Sequence, residues 1–223
     1  MIEASAACQD DPIPPGDTLL ADYPVAGSGY DEMCSAPGLL RPHWRDLANA
    51  LEEIGGEELE RRHGEVQRLL QSDGVTYNTY DDPQGSQRLW LVDNIPLLMT
   101  GEEWSELAAG LEQRSRLLNA LLADLYGPRM TIRQGWLPPE LVFAHPGFLP
   151  PCHRALPEGR RWLIFHGVDL ARGPDGVLRV YGDRTQSPSG AGYTLESRII
   201  LARALPMIYR DAPLRRLASF LET

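Results

Sequence analysis

The chain has 223 residues, 43% of them hydrophobic and 23% charged, with a formal net charge of −10. That balance is ordinary for a globular protein and excludes a polyanion-binding surface, because affinity for nucleic acid or for an anionic membrane comes from clustered cations. All 21 basic side chains are Arg, so the chain offers neither a Walker-type phosphate lysine nor a Schiff-base lysine.

Residues 1–29 carry Pro12, Pro14, Pro15 and Gly16, and are expected to form a flexible N-terminal tail. Acids occur within the first eleven positions, where a signal peptide needs cations, and no continuous apolar region follows. Tyr30 to Pro42 reads as an irregular lead-in. Over 43–72, Leu47, Leu51 and Ile54 give one helical stripe and Leu59, Val66, Leu69 and Leu70 a second. Gly55-Gly56 divides them, and Asp73-Gly74 ends the second. Val75 to Tyr80 alternates as a strand, with Arg88 to Val92 as its hairpin partner across an Asp81 to Gly85 turn.

Thr100 reads as the N-cap of a long helix, with Glu102 and Glu103 in its first turn and Leu107, Leu111, Leu118, Leu121, Leu122 and Leu125 along one face. Gly127-Pro128 stops it at Tyr126. Residues 129–160 are Pro-rich, with a short strand and then a short helix near Pro138 to Phe143. Two strands follow, Arg161 to Leu170 and Val177 to Asp183, joined at Gly173-Pro-Asp-Gly176. Tyr193 to Leu205 is an amphipathic helix, and Pro213 to Leu221 another. These elements predict an α+β fold of mixed helices and antiparallel β-hairpins. No apolar run approaches a membrane span. Cys8, Cys34 and Cys152 form no Cys-x-x-Cys pair, so no zinc knuckle or disulfide framework is expected and the cytoplasm is the expected compartment.

The chemistry concentrates between His166 and Arg198. Asp169 reads either as a ligand for a hard cation such as Mg²⁺ or as a salt-bridge partner of Arg172 or Arg179. Asp183 reads as a second metal ligand or as the start of an Asx-turn. The loop Ser187-Pro-Ser189-Gly190-Ala-Gly192 precedes a helix, so its amides and the helix dipole favour an anion. Arg198 is placed either to grip a phosphate or carboxylate with two donors or to make a helix-surface ion pair. Gln113-Arg114 reads either as meeting this site or as a solvated face, and His145, His153 and His166 as structural residues. No Ser/His/Asp or Cys/His spacing stands out.

Taken together, Tyr30-Asp-Glu-Met33, Val75-Thr-Tyr77, Glu103-Trp104, Gly110-Leu-Glu-Gln-Arg114, Leu117-Leu-Asn119, Asp124-Leu-Tyr126, Gly167-Val-Asp169, Asp183 to Tyr193 and Leu195-Glu-Ser-Arg198 resemble the circularly permuted ATP-grasp proteins of type 2. These are relatives of glutathionylspermidine synthetase and the permuted glutathione synthetases. The resemblance covers about Tyr30 to Phe220. It implies part of a permuted ATP-grasp fold and an ATP-dependent carboxylate–amine ligase, using ATP and Mg²⁺ on an amino-acid or peptide carboxylate and an amine.

By that resemblance Asp169 matches the first metal acid, and Ser187 to Gly192 the segment beside the reacting carboxylate and γ-phosphate. Ligase relatives carry Glu, one residue, then Asn at the end of the second strand; here Gly182 and Arg184 take those places around Asp183. The expectation is that Asp183 becomes the second metal ligand, while Arg184 and Arg198 contact phosphate or substrate. Residues 30–223 are then expected to be the N-terminal portion of the ATP-grasp domain, partnered by a C-terminal half that carries the ATP-gripping lysines and inactive without it. The alternative is a non-catalytic module with a degraded metal site that recognises an acidic peptide or a partner domain.

Overall fold

The computed structural model describes residues 10–13, 19–21, 23–25, 27, 29–78, 87–157, 159–188, 190–210, 214–215, 217 and 220. Their helices and small antiparallel sheets make an α+β fold. The expected turn at Asp81 to Gly85 and most of the expected helix at Pro213 to Leu221 lie outside the described residues, as do Cys8 and Ser189. The chain divides into two compact units, one built from 1–100, 173–176 and 189–223, the other from 101–172 and 177–188.

The first unit begins with a three-stranded antiparallel sheet in the order β1 (Asp11–Pro12), β3 (Leu39–Leu40), β2 (Cys34–Ala36). Asp11–Pro12 thus pairs with Leu39–Leu40 inside the stretch expected to be a tail. The buried Asp31 organises the approach to β2: Oδ1 accepts the Met33 and Cys34 amides at 2.9 and 2.8 Å, and Oδ2 accepts the Tyr23 hydroxyl at 3.1 Å. Helices α1 (Arg45–Ile54) and α2 (Gly56–Ser72) are separated by Gly55 at φ +77°, a left-handed conformation that suits glycine.

Leu47, Ala48 and Leu51 of α1 pack with Leu20, Met33, Cys34, Leu40 and Trp44. A second cluster joins Val66 and Leu70 of α2 to Ile200, Leu201 and Ala204 of α6 (Gly190–Ala204), with Leu205 beyond it. Arg62 Nη1 donates to the Ala204 carbonyl at 3.1 Å, satisfying an acceptor at the C-terminal end of α6. The hairpin of β4 (Thr76–Asn78) and β5 (Gln87–Leu89) is antiparallel, as expected. Tyr193 anchors α6 to it, donating its hydroxyl to the Thr76 carbonyl at 2.8 Å and lying 4.5 Å from Trp90.

The second unit is organised by α3 (Gly101–Leu125). The six leucines of its expected apolar face, Leu107, Leu111, Leu118, Leu121, Leu122 and Leu125, are all half-buried, and no residue of α3 is fully buried. Polar and aromatic contacts hold the unit as well. Asn119 Oδ1 accepts the Trp162 and Leu163 amides at 2.9 and 3.0 Å. Tyr126 stacks between Phe148 and Trp162, each 5.0 Å away. Asp124 accepts the Met130 and Thr131 amides and the Thr131 hydroxyl, capping α4 (Met130–Arg133). A helix stands there in place of the expected short strand; α5 (Pro139–Phe143) lies where a helix was expected.

The ribbon of β6 (Gly167–Arg172) and β7 (Leu178–Arg184) completes the unit. Trp162 to Phe165 precedes β6 as irregular chain, not as the first half of the strand. Among the described residues, no helix is long and apolar enough to cross a membrane.

Candidate functional site

The register of the β6–β7 ribbon decides which side chains meet. Near the turn, Arg172 opposes Leu178, Ala171 opposes Arg179 and Leu170 opposes Val180. Continued without interruption, that register would set Asp169 against Tyr181 and Gly167 against Asp183, placing both aspartates on one face. The pairing shifts instead between Asp169 and Leu170: Asp169 opposes Gly182, Val168 opposes Asp183, and Gly167 opposes Arg184. Tyr181 is the extra residue of a β-bulge. Since directly opposed residues share a face and neighbours alternate, the bulge sends Asp169 and Asp183 to opposite faces. The expectation that these two carboxylates hold one cation is corrected by this register.

On one face, Asp183 closes a polar chain with α3. Arg114 Nε and Nη2 donate to Oδ1 and Oδ2 of Asp183 at 2.7 and 2.5 Å. His166 Nε2 lies 3.0 Å from Asp183 Oδ1, and His166 Nδ1 lies 2.6 Å from Ser115 Oγ. The Arg114 guanidinium holds the Asp183 carboxyl down at about 2; burial opposes it, and His166 adds a smaller pull downward. A hydrogen-bonded Ser, His and Asp therefore do meet, although the sequence separates Ser115 from His166 and Asp183. They are not arranged as a nucleophile and its base: Ser115 Oγ also donates to the Leu111 carbonyl at 2.8 Å, and Arg114 takes both oxygens of Asp183. The chain ties the ribbon to α3. Sequence alone offers Arg114 either at this site or as a solvated residue, and His166 as an isolated one; a further signal is the resemblance of Gly110 to Arg114 to a family segment.

On the other face, Arg184 Nε donates to both oxygens of Asp169, at 3.0 and 2.9 Å. This pair takes the place of the salt bridge to Arg172 or Arg179 that the sequence offers; Arg172 instead meets Glu103 of α3. A Cβ on Gly182 would lie 3.1 Å from Asp169 Oδ2, and one on Gly167 would lie 3.0 Å from Pro188 Cβ. Ser187, in the predicted anion loop, takes φ +47°, a conformation uncommon outside glycine.

The remaining predicted residues belong to the first unit. Gly190 and Gly192 lie in the first turn of α6, and Cβ atoms there would meet open space. Arg198 Nη1 donates to the Arg215 carbonyl. Its side chain lines a pocket of about 360 Å³ with Trp90, Tyr193, Ser197, Leu201 and Tyr209.

These side chains do not fit a Mg²⁺ centre. Each aspartate spends both oxygens on an arginine. Among the described residues, no three His, Cys, Asp or Glu side chains are grouped as a metal site requires.

Comparison with known proteins adds a family. The profile described as circularly permuted ATP-grasp type 2 matches residues 96–223, a span holding α3, the ribbon and α6. An uncharacterized Mycobacterium tuberculosis protein is 41% identical, over 87% of this chain and 24% of its own length. An uncharacterized Synechocystis protein is 35% identical, over 87% of this chain and 40% of its own. A Frankia alni protein named “Putative glutamate--cysteine ligase 2-3” is 34% identical, over 91% of this chain and 23% of its own. The chain spans less than half the length of each of these relatives.

Proposed function

The chain belongs to the circularly permuted ATP-grasp type 2 family, and on that premise we propose that it is part of an ATP-dependent carboxylate–amine ligase. In such a reaction a carboxylate oxygen attacks the γ-phosphorus of ATP, ADP leaves, an amine attacks the acyl phosphate, and inorganic phosphate leaves as the amide forms. The observation that carries this reading is the family match across α3, the ribbon and α6. The name of the Frankia alni relative, which describes ligation of a carboxylate to an amine, supports it.

In this reading ATP supplies the phosphoryl group, and Mg²⁺ offsets its charge when bound. Ligands for that ion come from outside the Asp169–Asp183 pair. This chain contributes cationic and amide donors. Arg184, on the exposed end of β7, and Arg198, at the aromatic pocket, orient anionic groups. The Ser187 to Gly192 segment offers backbone amides at the start of α6. The partner of this portion is the further length that the longer relatives carry.

A second reading has one observation in its favour: both aspartates are already neutralised by arginines, as they would be in a module that binds an acidic peptide or a partner domain without catalysis. ADP release separates the two. Measured on the natural full-length protein with candidate amino-acid carboxylates and amines, release that requires both substrates supports the ligase. ATP turnover under no substrate pair supports the binding module.

A further inference from the structure

The Asp169–Arg184 pair differs from an ordinary surface ion pair in two ways. The first is its bonding. Arg114 commits a whole edge, Nε and Nη2, to the two oxygens of Asp183. Arg184 gives Asp169 only Nε, shared between both oxygens. The guanidinium is held by its inner nitrogen, so its Nη1–Nη2 edge is directed away from the carboxylate. That edge is itself a two-donor fork suited to a pair of oxygens, and the side chain is 66% exposed.

The second difference is the floor around it. Asp169 and Arg184 sit diagonally across the ribbon, and the residue opposite each is glycine: Gly182 opposite Asp169 and Gly167 opposite Arg184. Glycine weakens a strand and is retained where something approaches the backbone closely. Here Gly182 leaves room for the Asp169 carboxylate, which a Cβ would crowd at 3.1 Å, and Gly167 leaves room for Pro188. The bulge at Tyr181 fixes this alignment. The four positions leave an anchored, exposed cation beside Pro188, with Tyr181 near the guanidinium.

From this geometry we infer that Asp169 is a positioning residue, and that it holds Arg184 so that the outer guanidinium edge grips an oxyanion, a carboxylate or a phosphoryl group. The assignment replaces the metal role for Asp169. Identifying that oxyanion as a reactant rests on the ligase reading; binding itself does not.

The test uses the 223-residue chain and the Arg184 Nε–H resonance, assigned by its loss in Arg184→Gln, during titration with inorganic phosphate and, separately, glutarate. The expected result is a saturable shift with at least one of them. Phosphate marks a phosphoryl site and glutarate a carboxylate site. Asp169→Asn weakens that binding by roughly tenfold or more; titration calorimetry, which does not depend on the lost resonance, reads no binding in Arg184→Gln and none beyond that in the double variant. Gly182→Ala, which crowds the carboxylate without removing it, weakens binding several-fold; thermal melts establish that each variant is folded.

Unchanged or tighter anion binding in Asp169→Asn overturns the proposal, because removing a negative charge beside a cation favours anions unless the carboxylate is needed for orientation. Absence of any shift overturns it too, as does a Mg²⁺ site present in the wild type and lost in Asp169→Asn. Oxyanion binding here, with no ADP release from the natural full-length protein under any substrate pair, supports the site and removes the ligase reading.

Discussion

Arg114 meets Asp183 edge to edge, Nε to Oδ1 at 2.7 Å and Nη2 to Oδ2 at 2.5 Å, joining the middle of α3 to the end of β7. The contact spans 69 residues of sequence and draws His166 and Ser115 into the same chain of bonds. It fixes one face of the ribbon against the helix and leaves the other to Asp169 and Arg184.

The ionised Asp183 should therefore respond to pH in a defined window. Its folded carboxyl titrates at about 2, below the ordinary 3.8, so its stabilising contribution is complete above the ordinary value and is lost as pH falls through about 2. Arg114→Gln should raise the Asp183 midpoint toward the ordinary carboxylate range. Carboxyl-carbon NMR across an acid titration reads this directly, and an unmoved midpoint would remove Arg114 as the main cause.

Ser115→Ala leaves His166 Nδ1, whose side chain is 6% exposed, without its 2.6 Å partner. The expected cost is about 1–3 kcal/mol in urea unfolding. Ser115→Thr, which keeps the hydroxyl, should recover part of it.

Two glycines of the first unit share a left-handed backbone but differ in surroundings. Gly38 (φ +74°) has open space where a Cβ would go, whereas a Cβ on Gly176 (φ +78°) would lie 2.6 Å from Tyr30 Cε2. Gly38→Ala should cost about 1–2 kcal/mol from conformation alone. Gly176→Ala should cost more, because the Tyr30 ring must also move; equal losses in thermal or urea unfolding would show that the ring yields freely.

Leu70 is fully buried between α2 and α6, while Leu117 on α3 is 66% exposed. Leu70→Ala should lose about 2–5 kcal/mol. Leu117→Ala should stay within about 0.5 kcal/mol. A large loss at Leu117 would mean that this exposed side of α3 is covered in solution.

Local signals were legible wherever one residue type dictates the backbone. Gly55 and Asp73-Gly74 bound α2, Gly127-Pro128 ends α3, and Gly173 to Gly176 closes the ribbon, with the Gly176 amide donating to the Gly173 carbonyl at 2.9 Å. The family segments were legible too, and several of them have a physical role in the fold. Asn119 holds the Trp162 and Leu163 amides, Asp124 caps α4, and Tyr126 lies in an aromatic stack. The α3 stripe was legible as a face: its six leucines are half-buried while Leu117 beside them is exposed, although periodicity does not say how fully a face is covered. The two aspartates were visible in sequence, and their relationship was not. A one-residue bulge changes which residues share a face while leaving composition and spacing untouched, so Asp183 could be paired correctly only from coordinates. The partner of Arg114 and the role of His166 were hidden for a related reason, since the Arg114–Asp183 and Ser115–His166 contacts cross 69 and 51 residues.

The wedge of Tyr181 also governs charge repulsion. With it in place, two like-charged groups are insulated from each other by the thickness of the hairpin, and each finds its own counter-ion. Straightening the strand by one step would set them diagonally on one face, an arrangement unfavourable unless something doubly positive stood between them. Any divalent ion seeking that berth would first have to slide β7 against β6 and break both arginine clasps, so the kink works as a latch on the ribbon's choice of guest.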